Sequence, residues 1–203
     1  MTGNFYSHSA IKVTLGKLIH WLCGGWVIEG EPPKDINKYI IIVAHHTSNW
    51  DFVVGAAAKL IMRLRARFFA KKSLFKFPLG FLMRGLGGVP IERSKAGNHV
   101  QQMVNAINDS EHFVLVITPE GTRSKVERWK TGFYHIACGA NIPVVPVGFD
   151  FTHKKIVFGK AMDMTGDIVT DFQAMHEFFV PYKGKNPEWS CNEPAENPNI
   201  YQK

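Results

Sequence analysis

The chain has 203 residues, of which 45% are hydrophobic and 20% are charged, and its net charge is +7 at neutral pH. These values exclude a largely disordered chain and fit one domain of ordinary size with a substantial core. The positive charge favours an anionic partner, such as nucleic acid, anionic lipid or a phosphorylated small molecule.

The cysteines and the hydropathy pattern restrict the cellular compartment in which the protein is expected. The three cysteines are odd in number and form no C-x-x-C motif, which argues against a disulfide framework and a zinc site. We therefore expect a reducing, cytoplasmic environment. No apolar run reaches the roughly 18 to 20 residues that span a bilayer, and no signal peptide is predicted. Any membrane contact is therefore expected to be peripheral.

Helical and strand patterns alternate along the chain. In order, they are a helix at 9–25, a strand at 26–31, a strand at 39–44, a helix at 52–66, a strand at 67–70, a helical segment at 73–87 that is interrupted near Pro78, a strand at 88–92, a helix at 98–110, a strand at 112–118, a helix at 132–140, strands at 142–149 and 154–159, and a helix at 167–179. The alternation predicts an α/β fold with a mixed, largely parallel sheet flanked by helices.

The end of the N-terminal helical pattern and a composition change at Lys183 divide the chain into three expected parts. Residues 1–26 form an N-terminal amphipathic helical segment, 27–182 form the main domain, and 183–203 are rich in Pro, Asn and charge and are expected to be a surface tail. Within the main domain, the two prolines of the 142–149 strand are expected to restrict it to a sheet edge or to place them at the strand ends.

The N-terminal helix has two interpretations. A stripe of apolar residues recurs at helical spacing, at Ile11, Leu15, Leu18 and Leu22. The stripe either packs on the protein's own core, or it lies in a membrane interface with tryptophan at headgroup level and Lys12 and Lys17 facing anionic lipid.

A basic segment lies between Lys59 and Lys95. It contains ten Lys or Arg residues and one acid, Glu92, with Leu, Phe and Met between them. This pattern fits a solvated helix face, and it equally fits a surface that meets an anionic membrane or a phosphate.

The stretch AHHTSNWDF at 44–52 contains the spacing H-x-x-x-x-D, from His46 to Asp51. It follows a buried strand and precedes a helix, which is where α/β folds place their sites. A histidine there can act as a general base whose ring is held by a carboxylate. The alternative is that Asp51 caps the helix and both histidines bond loop carbonyls.

A second motif, ITPEGTRSK at 117–125, is a turn with a glycine, hydroxyl groups and a guanidinium, which suits a phosphate. The alternative is an ordinary turn in which Arg123 pairs with Glu120. Two weaker motifs are GGVPIERS at 87–94 and NIPVVPVGF at 141–149.

Taken together, the order H-x-x-x-x-D, G-x-x-x-I-x-R, P-E-G-T-R-S and I-P-V-V-P-V resembles the glycerolipid acyltransferase family, whose best-known members act on lysophosphatidic acid (1-acylglycerol-3-phosphate). The resemblance covers about residues 27–150. It implies a mixed α/β sheet preceded by a helical element that meets the membrane.

The resemblance also implies roles for individual residues. His46 would remove the proton from the acceptor hydroxyl, and Asp51 would orient His46. The implied acceptor-binding residues are Arg93, Glu120, Gly121, Thr122, Arg123 and Lys130, with Arg93, Arg123 and Lys130 on the phosphate. Pro143 and Pro146 would shape the acyl-donor channel.

The same resemblance implies an acyl-CoA or acyl carrier protein thioester as co-substrate, with no metal and no organic cofactor. The enzyme would be cytoplasmic and peripheral on the inner face of the cytoplasmic membrane. The sequence departs from the family pattern at His45, where Asn is common, at TPEG in place of FPEG, and at PIER. The acceptor therefore stays open between lysophosphatidate, a lyso-ornithine lipid and glycerol-3-phosphate.

Functions of other classes also fit parts of the sequence. A His–Asp thioesterase could use the same pair on water, and a non-catalytic lipid-binding module could use the basic segment. A nucleic-acid partner is not expected, because no recognised motif accompanies the basic residues.

Overall fold

The computed structural model describes residues 10–91, 99–191 and Tyr201. Within these ranges the elements are α1 (Ala10–Leu22), β1 (Val27–Glu29), β2 (Lys38–Ala44), α2 (Trp50–Ile61), β3 (Arg67–Lys71), a 3₁₀ turn (Lys72–Phe75), α3 (Leu79–Gly85), β4 (Gly88–Ile91), α4 (His99–Asn108), β5 (Phe113–Ile117), α5 (Gly132–Ala140), β6 (Val144–Asp150), β7 (Lys155–Phe158), α6 (Ile168–Phe179) and a second 3₁₀ turn (Pro187–Trp189).

The seven strands form one sheet in the order β1-β7-β6-β2-β5-β3-β4. Every pairing is parallel except that of β6 with β7, which is antiparallel. The predicted mixed, largely parallel α/β fold is confirmed. The central strands β2 and β6 are buried almost throughout, which is why they are continuous apolar runs in the sequence.

Helices cover both faces of the sheet. Alternate residues of β2 point to opposite sides, so that Ile40 and Ile42 join one core with α4, α5 and α6, while Ile41 and Val43 join the other with α2. The second face also carries α1, which packs on α2, and α3, whose Met83 packs with Phe75 and Ala70.

The strand with two prolines was expected to lie at a sheet edge or to carry the prolines at its ends, and this prediction is wrong. β6 is an interior strand, and Pro146 lies near its middle, opposite Ile42. The sheet tolerates this proline because the β6–β7 ladder is interrupted there, between the Val144–Met162 bridge and the Val147–Phe158 pair. The missing N–H therefore falls at an irregularity, where a ladder hydrogen bond is not required.

The helix predicted at 52–66 begins two residues earlier and ends at Ile61. After Met62, Arg63 has a positive φ of 56°, which turns the chain out of the helix. Leu64 and Ala66 can then join the core beneath α2. Tertiary burial of these two side chains therefore outweighs the local preference of this stretch for helix.

The apolar stripe of α1 faces outward. Ile11 is 79% exposed and Trp21 is 70% exposed, whereas Gly16 and His20 are buried against α2. The lack of a side chain at Gly16 permits this close packing, because a Cβ there would lie 2.9 Å from the carbonyl oxygen of Ala57. Of the two interpretations of the stripe, packing on the protein's own core is wrong. No helix in the described part of the chain is both long enough and apolar enough to cross a membrane.

The expected surface tail at 183–203 is also corrected where the structure describes it. Gly184 and Cys191 are buried, and Tyr201 lies in the main core against Phe172. The Tyr201 hydroxyl accepts a hydrogen bond of 2.8 Å from the backbone N–H of Trp129. The segment is polar in composition, but its Cys191 and Tyr201 side chains pack into the main core, whereas Trp189 is exposed.

Candidate active site

The candidate site lies at one edge of the sheet, where two neighbouring strands end. β2 leads into the loop that carries His45 and His46, and β5 leads into the turn that carries Glu120 and Gly121. Because β2 and β5 are adjacent and parallel, both loops leave the sheet at the same edge. This is the usual position of sites in open α/β sheets. The first and second sequence motifs therefore meet in space.

His46 and Asp51 form a hydrogen-bonded pair. The Nδ1 atom of His46 lies 2.9 Å from Oδ2 of Asp51. The His46 side chain is 20% exposed, whereas that of Asp51 is 2% exposed. A proton on Nδ1 that is donated to the carboxylate leaves Nε2 as an acceptor on the accessible side of the ring. The pair can therefore take a proton from a bound hydroxyl group.

Asp51 serves the loop as well as the imidazole. It occupies the first turn of α2, and its Oδ2 also accepts a hydrogen bond of 2.8 Å from the backbone N–H of Ser48. A carboxylate at this end of a helix is favoured by the helix dipole. Asp51 therefore supports the start of the helix and holds His46, and the alternative in which it is the helix cap while both histidines bond loop carbonyls does not describe this stretch.

Glu120 lies beneath the histidine loop and is 2% exposed. Its Oε2 accepts a hydrogen bond of 3.0 Å from the backbone N–H of His46. Its Oε1 lies 3.9 Å from Nδ1 of His45, which is longer than a hydrogen bond. The carboxyl group of Glu120 is thus directed at the histidine loop, while the Arg123 side chain is exposed to solvent. The alternative Arg123–Glu120 pair does not describe this turn.

Burial keeps both Glu120 and His45 neutral near pH 7. Burial, opposed by the hydrogen bond from His46 and reinforced by the negative charge of Asp51, raises the pKa of Glu120 to about 8. Burial lowers the pKa of His45 to about 4. Their contact is therefore not an ion pair. It joins a neutral carboxylic acid to a neutral imidazole, so that little additional charge lies beside the His46–Asp51 pair.

A segment near the end of the described chain covers the histidine loop. Asn186 donates from its backbone N–H to Oγ1 of Thr47 at 3.1 Å, and from Nδ2 to the carbonyl oxygen of Thr47 at 2.8 Å. Gly184 approaches so closely that a Cβ there would lie 2.7 Å from Oγ1 of Thr47. These residues were not predicted from the sequence, because no local pattern marks a contact across 139 positions.

The described structure brings together only some of the predicted phosphate-binding residues. Gly121 adopts a φ of +66°, and the Lys130 side chain lies over it, with Nζ 2.9 Å from the position of a Gly121 Cβ. Thr122 and Arg123 are exposed in the same turn. Lys130 and Arg123 are therefore neighbours on one loop. Arg93 lies outside the described residues.

The two prolines assigned to a donor channel lie elsewhere. Pro143 precedes β6, which runs parallel to β2, so it lies at the edge of the sheet where these strands begin. The candidate site lies at the opposite edge, where they end. Pro146 is buried in mid-strand. Neither position is at the His46 edge of the sheet.

An apolar cavity of about 250 Å³ adjoins the histidine loop. Its lining includes Leu22, Trp26, Trp50, Val54, Phe151 and Lys185. Trp50 immediately precedes Asp51, and the Lys185 ammonium lies 4.8 Å from the centre of the Trp50 ring. The cavity therefore offers apolar volume at the start of the helix that carries Asp51. In the ranges that the structure describes, no group of three or more His, Cys, Asp or Glu side chains could hold a metal ion.

Comparisons with known proteins agree with this geometry. Residues 27–150 match the family model described as Acyltransferase. The chain is 30% identical over 141 residues to a 1-acyl-sn-glycerol-3-phosphate acyltransferase of Haemophilus influenzae, covering 65% of this chain and 57% of that protein. It is 31% identical over 159 residues to the protein of that name from Limnanthes alba, covering 74% of this chain and 53% of that protein.

One solved structure shares the fold. The crystal structure of the 1-acyl-sn-glycerophosphate (LPA) acyltransferase PlsC from Thermotoga maritima superposes with a TM-score of 0.58 at 23% identity, covering 77% of this chain and 70% of that one. The chain spans a little over half the length of the curated relatives that it matches.

Proposed function

Because this chain belongs to the Acyltransferase family, we propose that it transfers a fatty acyl group from a thioester to the hydroxyl group of a lysophospholipid. The observation that carries the proposal is the His46–Asp51 pair, whose imidazole is accessible while its carboxylate is buried. This is the arrangement that a general base requires.

In the proposed reaction, Nε2 of His46 removes the proton of the acceptor hydroxyl as its oxygen attacks the thioester carbonyl carbon. Asp51 stabilises the imidazolium that forms. The tetrahedral intermediate then expels the thiolate, which recovers the proton from His46. One ester bond forms, one thioester bond breaks, and the catalytic groups return to their initial protonation states.

The acceptor that we propose is 1-acylglycerol-3-phosphate, which would yield phosphatidic acid. Arg123 and Lys130 support this choice, because a guanidinium and an ammonium on one glycine turn suit a phosphate monoester. The names of the matched relatives favour the same acceptor. Lyso-ornithine lipid and glycerol-3-phosphate are the alternatives that the test below distinguishes.

The donor is proposed to be an acyl-CoA or acyl carrier protein thioester. The apolar cavity beside Trp50, at the start of the helix that carries Asp51, offers space for part of a fatty acyl chain. No cofactor is needed in this scheme, because the thioester is already activated and the remaining work is proton transfer and charge stabilisation.

We further propose that the protein acts at a membrane surface, with α1 as a peripheral contact. The outward apolar stripe of α1, with Lys12 and Lys17 among its exposed residues, is typical of an interfacial helix. The inner face of the cytoplasmic membrane is the surface that holds both anionic lipid and cytoplasmic acyl donors.

The test is incubation of the purified protein with a panel of lysolipids and of acyl-CoA and acyl carrier protein donors, with products identified by mass spectrometry. We expect phosphatidic acid from lysophosphatidate, and no product above background with His46→Ala. Acyl transfer to no member of the panel would overturn the proposal. Free fatty acid released at an undiminished rate without any acceptor would show a thioesterase instead.

A further inference from the structure

Exposed apolar side chains concentrate on one face of this protein. The described residues include sixteen large hydrophobic side chains that are exposed, and thirteen of them belong to α1, to α2 or to the segment 72–85. The exceptions are Val27, Val180 and Trp189. Soluble monomers rarely display so much contiguous apolar surface without a partner.

The segment 72–85, which contains the 3₁₀ turn and α3, is the most exposed part of this surface. Phe77 is 96% exposed and Phe81 is 87% exposed. The same segment is held to the sheet from its inner side by Phe75 and Met83, which are buried. The segment is therefore an ordered element with an apolar outer side, and the two phenylalanines project from it.

Contacts between elements show that α1, α2 and the segment 72–85 share one sheet face. α1 meets α2 at Gly16. On the other side of α2, Phe52 packs edge-on against Phe68 of β3, with 5.5 Å between ring centres, and Phe68 in turn packs against the Phe75–Met83 cluster. The apolar side chains of α1 and of 72–85 thus flank α2 on a common surface.

A lysine links the two flanks. The ammonium of Lys59 in α2 donates to the carbonyl oxygen of Leu86, directly after α3. Burial, with the nearby positive charge of Lys12 in α1, lowers the pKa of Lys59 to about 8. Lys59 thus joins α2 to the residue that follows α3, and α1 packs on the same part of α2, at Ala57, Leu60 and Ile61.

The exposed charged side chains on this surface are all positive. Residues 10–26 and 71–86 contain no acidic residue, and the only one in α2 is the buried Asp51. Around the two phenylalanines the exposed cations include Lys71, Lys76 and Arg84. Apolar side chains surrounded by cations match an anionic bilayer, where the rings enter the acyl boundary and the cations meet phosphate headgroups.

We propose that the segment 72–85 is a second membrane-inserting element, which acts together with α1 and places Phe77 and Phe81 in an anionic bilayer. β3 ends at the sheet edge that also carries His46 and Glu120, so this element begins on the active-site side of the molecule. Insertion at two separated places holds the site at the lipid surface in a defined orientation, which a single helix cannot do. The inference rests on the proposed function only in taking a membrane lipid as the substrate.

The experiment is co-sedimentation of the full chain with vesicles of phosphatidylcholine and phosphatidylglycerol in equal amounts, without substrate. Phe77→Ser/Phe81→Ser should weaken vesicle partitioning roughly tenfold or more, since each phenylalanine contributes apolar area to the bilayer. Each single variant should show an intermediate loss. Val180→Ser is the matched control, because Val180 is 56% exposed on the opposite face, and its partitioning should equal that of the unmodified chain.

A second pair of substitutions tests the charge. Lys71→Gln/Lys76→Gln should weaken binding to the anionic vesicles and reduce its salt dependence, with little change on phosphatidylcholine alone. Circular dichroism and thermal unfolding confirm the fold of each variant, which exposed side chains are not expected to alter.

Partitioning of Phe77→Ser/Phe81→Ser that equals that of Val180→Ser would overturn the inference. So would a dimer that dissociates in this double variant while vesicle binding is unchanged, because the face would then bind a second copy. The unmodified protein could transfer no acyl group and yet bind vesicles in a way that Phe77→Ser/Phe81→Ser abolishes. That result would support the inference and contradict only the proposed function.

Discussion

The carboxyl group of Glu120 accepts a hydrogen bond from the backbone N–H of His46, with 3.0 Å between the two atoms, although the residues are 74 positions apart. Glu120 therefore holds the proposed base through its backbone. We expect Glu120 to position His46, and the family resemblance in addition implies a residue that shapes the acceptor pocket.

Glu120→Gln tests this role. Its amide oxygen can still accept from the His46 N–H, and at neutral pH the native side chain is also uncharged, so we expect kcat within a few-fold of the native value. Glu120→Ala leaves the buried N–H without a partner, costs about 1 to 3 kcal/mol of stability, and should lower kcat roughly 100-fold through misplacement of His46. Steady-state kinetics of both variants test whether Glu120 positions His46. Equal losses of kcat in the two variants would contradict that role.

The two adjacent histidines should behave differently. His46→Ala and Asp51→Asn are expected to lower acyl transfer by roughly 100-fold or more, since proton removal loses its base or the base loses its orientation. His45→Asn should keep most of the activity, because His45 is buried and its ring packs edge-on against Phe179. A His45→Asn variant as inactive as His46→Ala, although folded, would reverse the assignment.

Arg123 and Lys130 should distinguish acceptors by charge. Arg123→Ala and Lys130→Ala are expected to raise KM for lysophosphatidate roughly tenfold each, because each removes a charged contact to phosphate. KM for the thioester donor should not change. The measurement compares lysophosphatidate with a monoacylglycerol acceptor, and an equal loss on the phosphate-free acceptor would remove the proposed phosphate contact.

Buried histidines make the fold sensitive to acid. Burial lowers the pKa of His176 to about 3 and that of His45 to about 4, from the ordinary 6.5. The unfolded chain binds these protons as the pH falls below 6.5, while the folded chain does not, so both residues reduce the free energy of unfolding between pH 6.5 and 4. His176→Phe preserves an aromatic ring against Trp129, whose centre is 3.8 Å away, and should lessen this dependence in urea denaturation.

Glu120 contributes with the opposite sign. Its pKa of about 8 exceeds the ordinary 4.5, so the folded chain keeps a proton that the unfolded chain releases between these values. Its contribution to the free energy of unfolding therefore decreases as the pH rises from 4.5 to 8. In the same urea denaturation series, Glu120→Gln should remove this decrease and leave the acid-side loss in place. An unchanged pH dependence in Glu120→Gln would contradict the neutral state of this residue.

The Thr47–Asn186 contact should stabilise the histidine loop. Asn186→Ala removes the hydrogen bond from Nδ2 to the Thr47 carbonyl oxygen and is expected to cost about 1 kcal/mol of stability. Because the loop that carries His46 gains freedom, kcat should fall while KM for the donor stays near its native value. Trp189→Ala, in the same segment and 43% exposed, is the control and should affect neither. Equal effects of the two substitutions would show that the segment acts only as a whole.

The sequence by itself determined the order and type of most elements, the largely parallel sheet and the pairing of His46 with Asp51. The elements and the sheet follow from local hydrophobic periodicity, whereas the His46–Asp51 pair was implied by the family resemblance, because its spacing alone also fitted a helix cap. Helix ends were less well predicted, as α2 shows, because burial of Leu64 and Ala66 decides where that helix stops.

The tertiary structure alone decided which groups support the pair. Glu120 and Asn186 reach the histidine loop across 74 and 139 positions, and such contacts leave no periodic trace in a chain. Burial also decided the neutral states of Glu120 and His45, since desolvation depends on what surrounds a group in space. In the same way, only the packing of Gly16 against α2 turned the apolar stripe of α1 outward, where it forms one surface with Phe77 and Phe81.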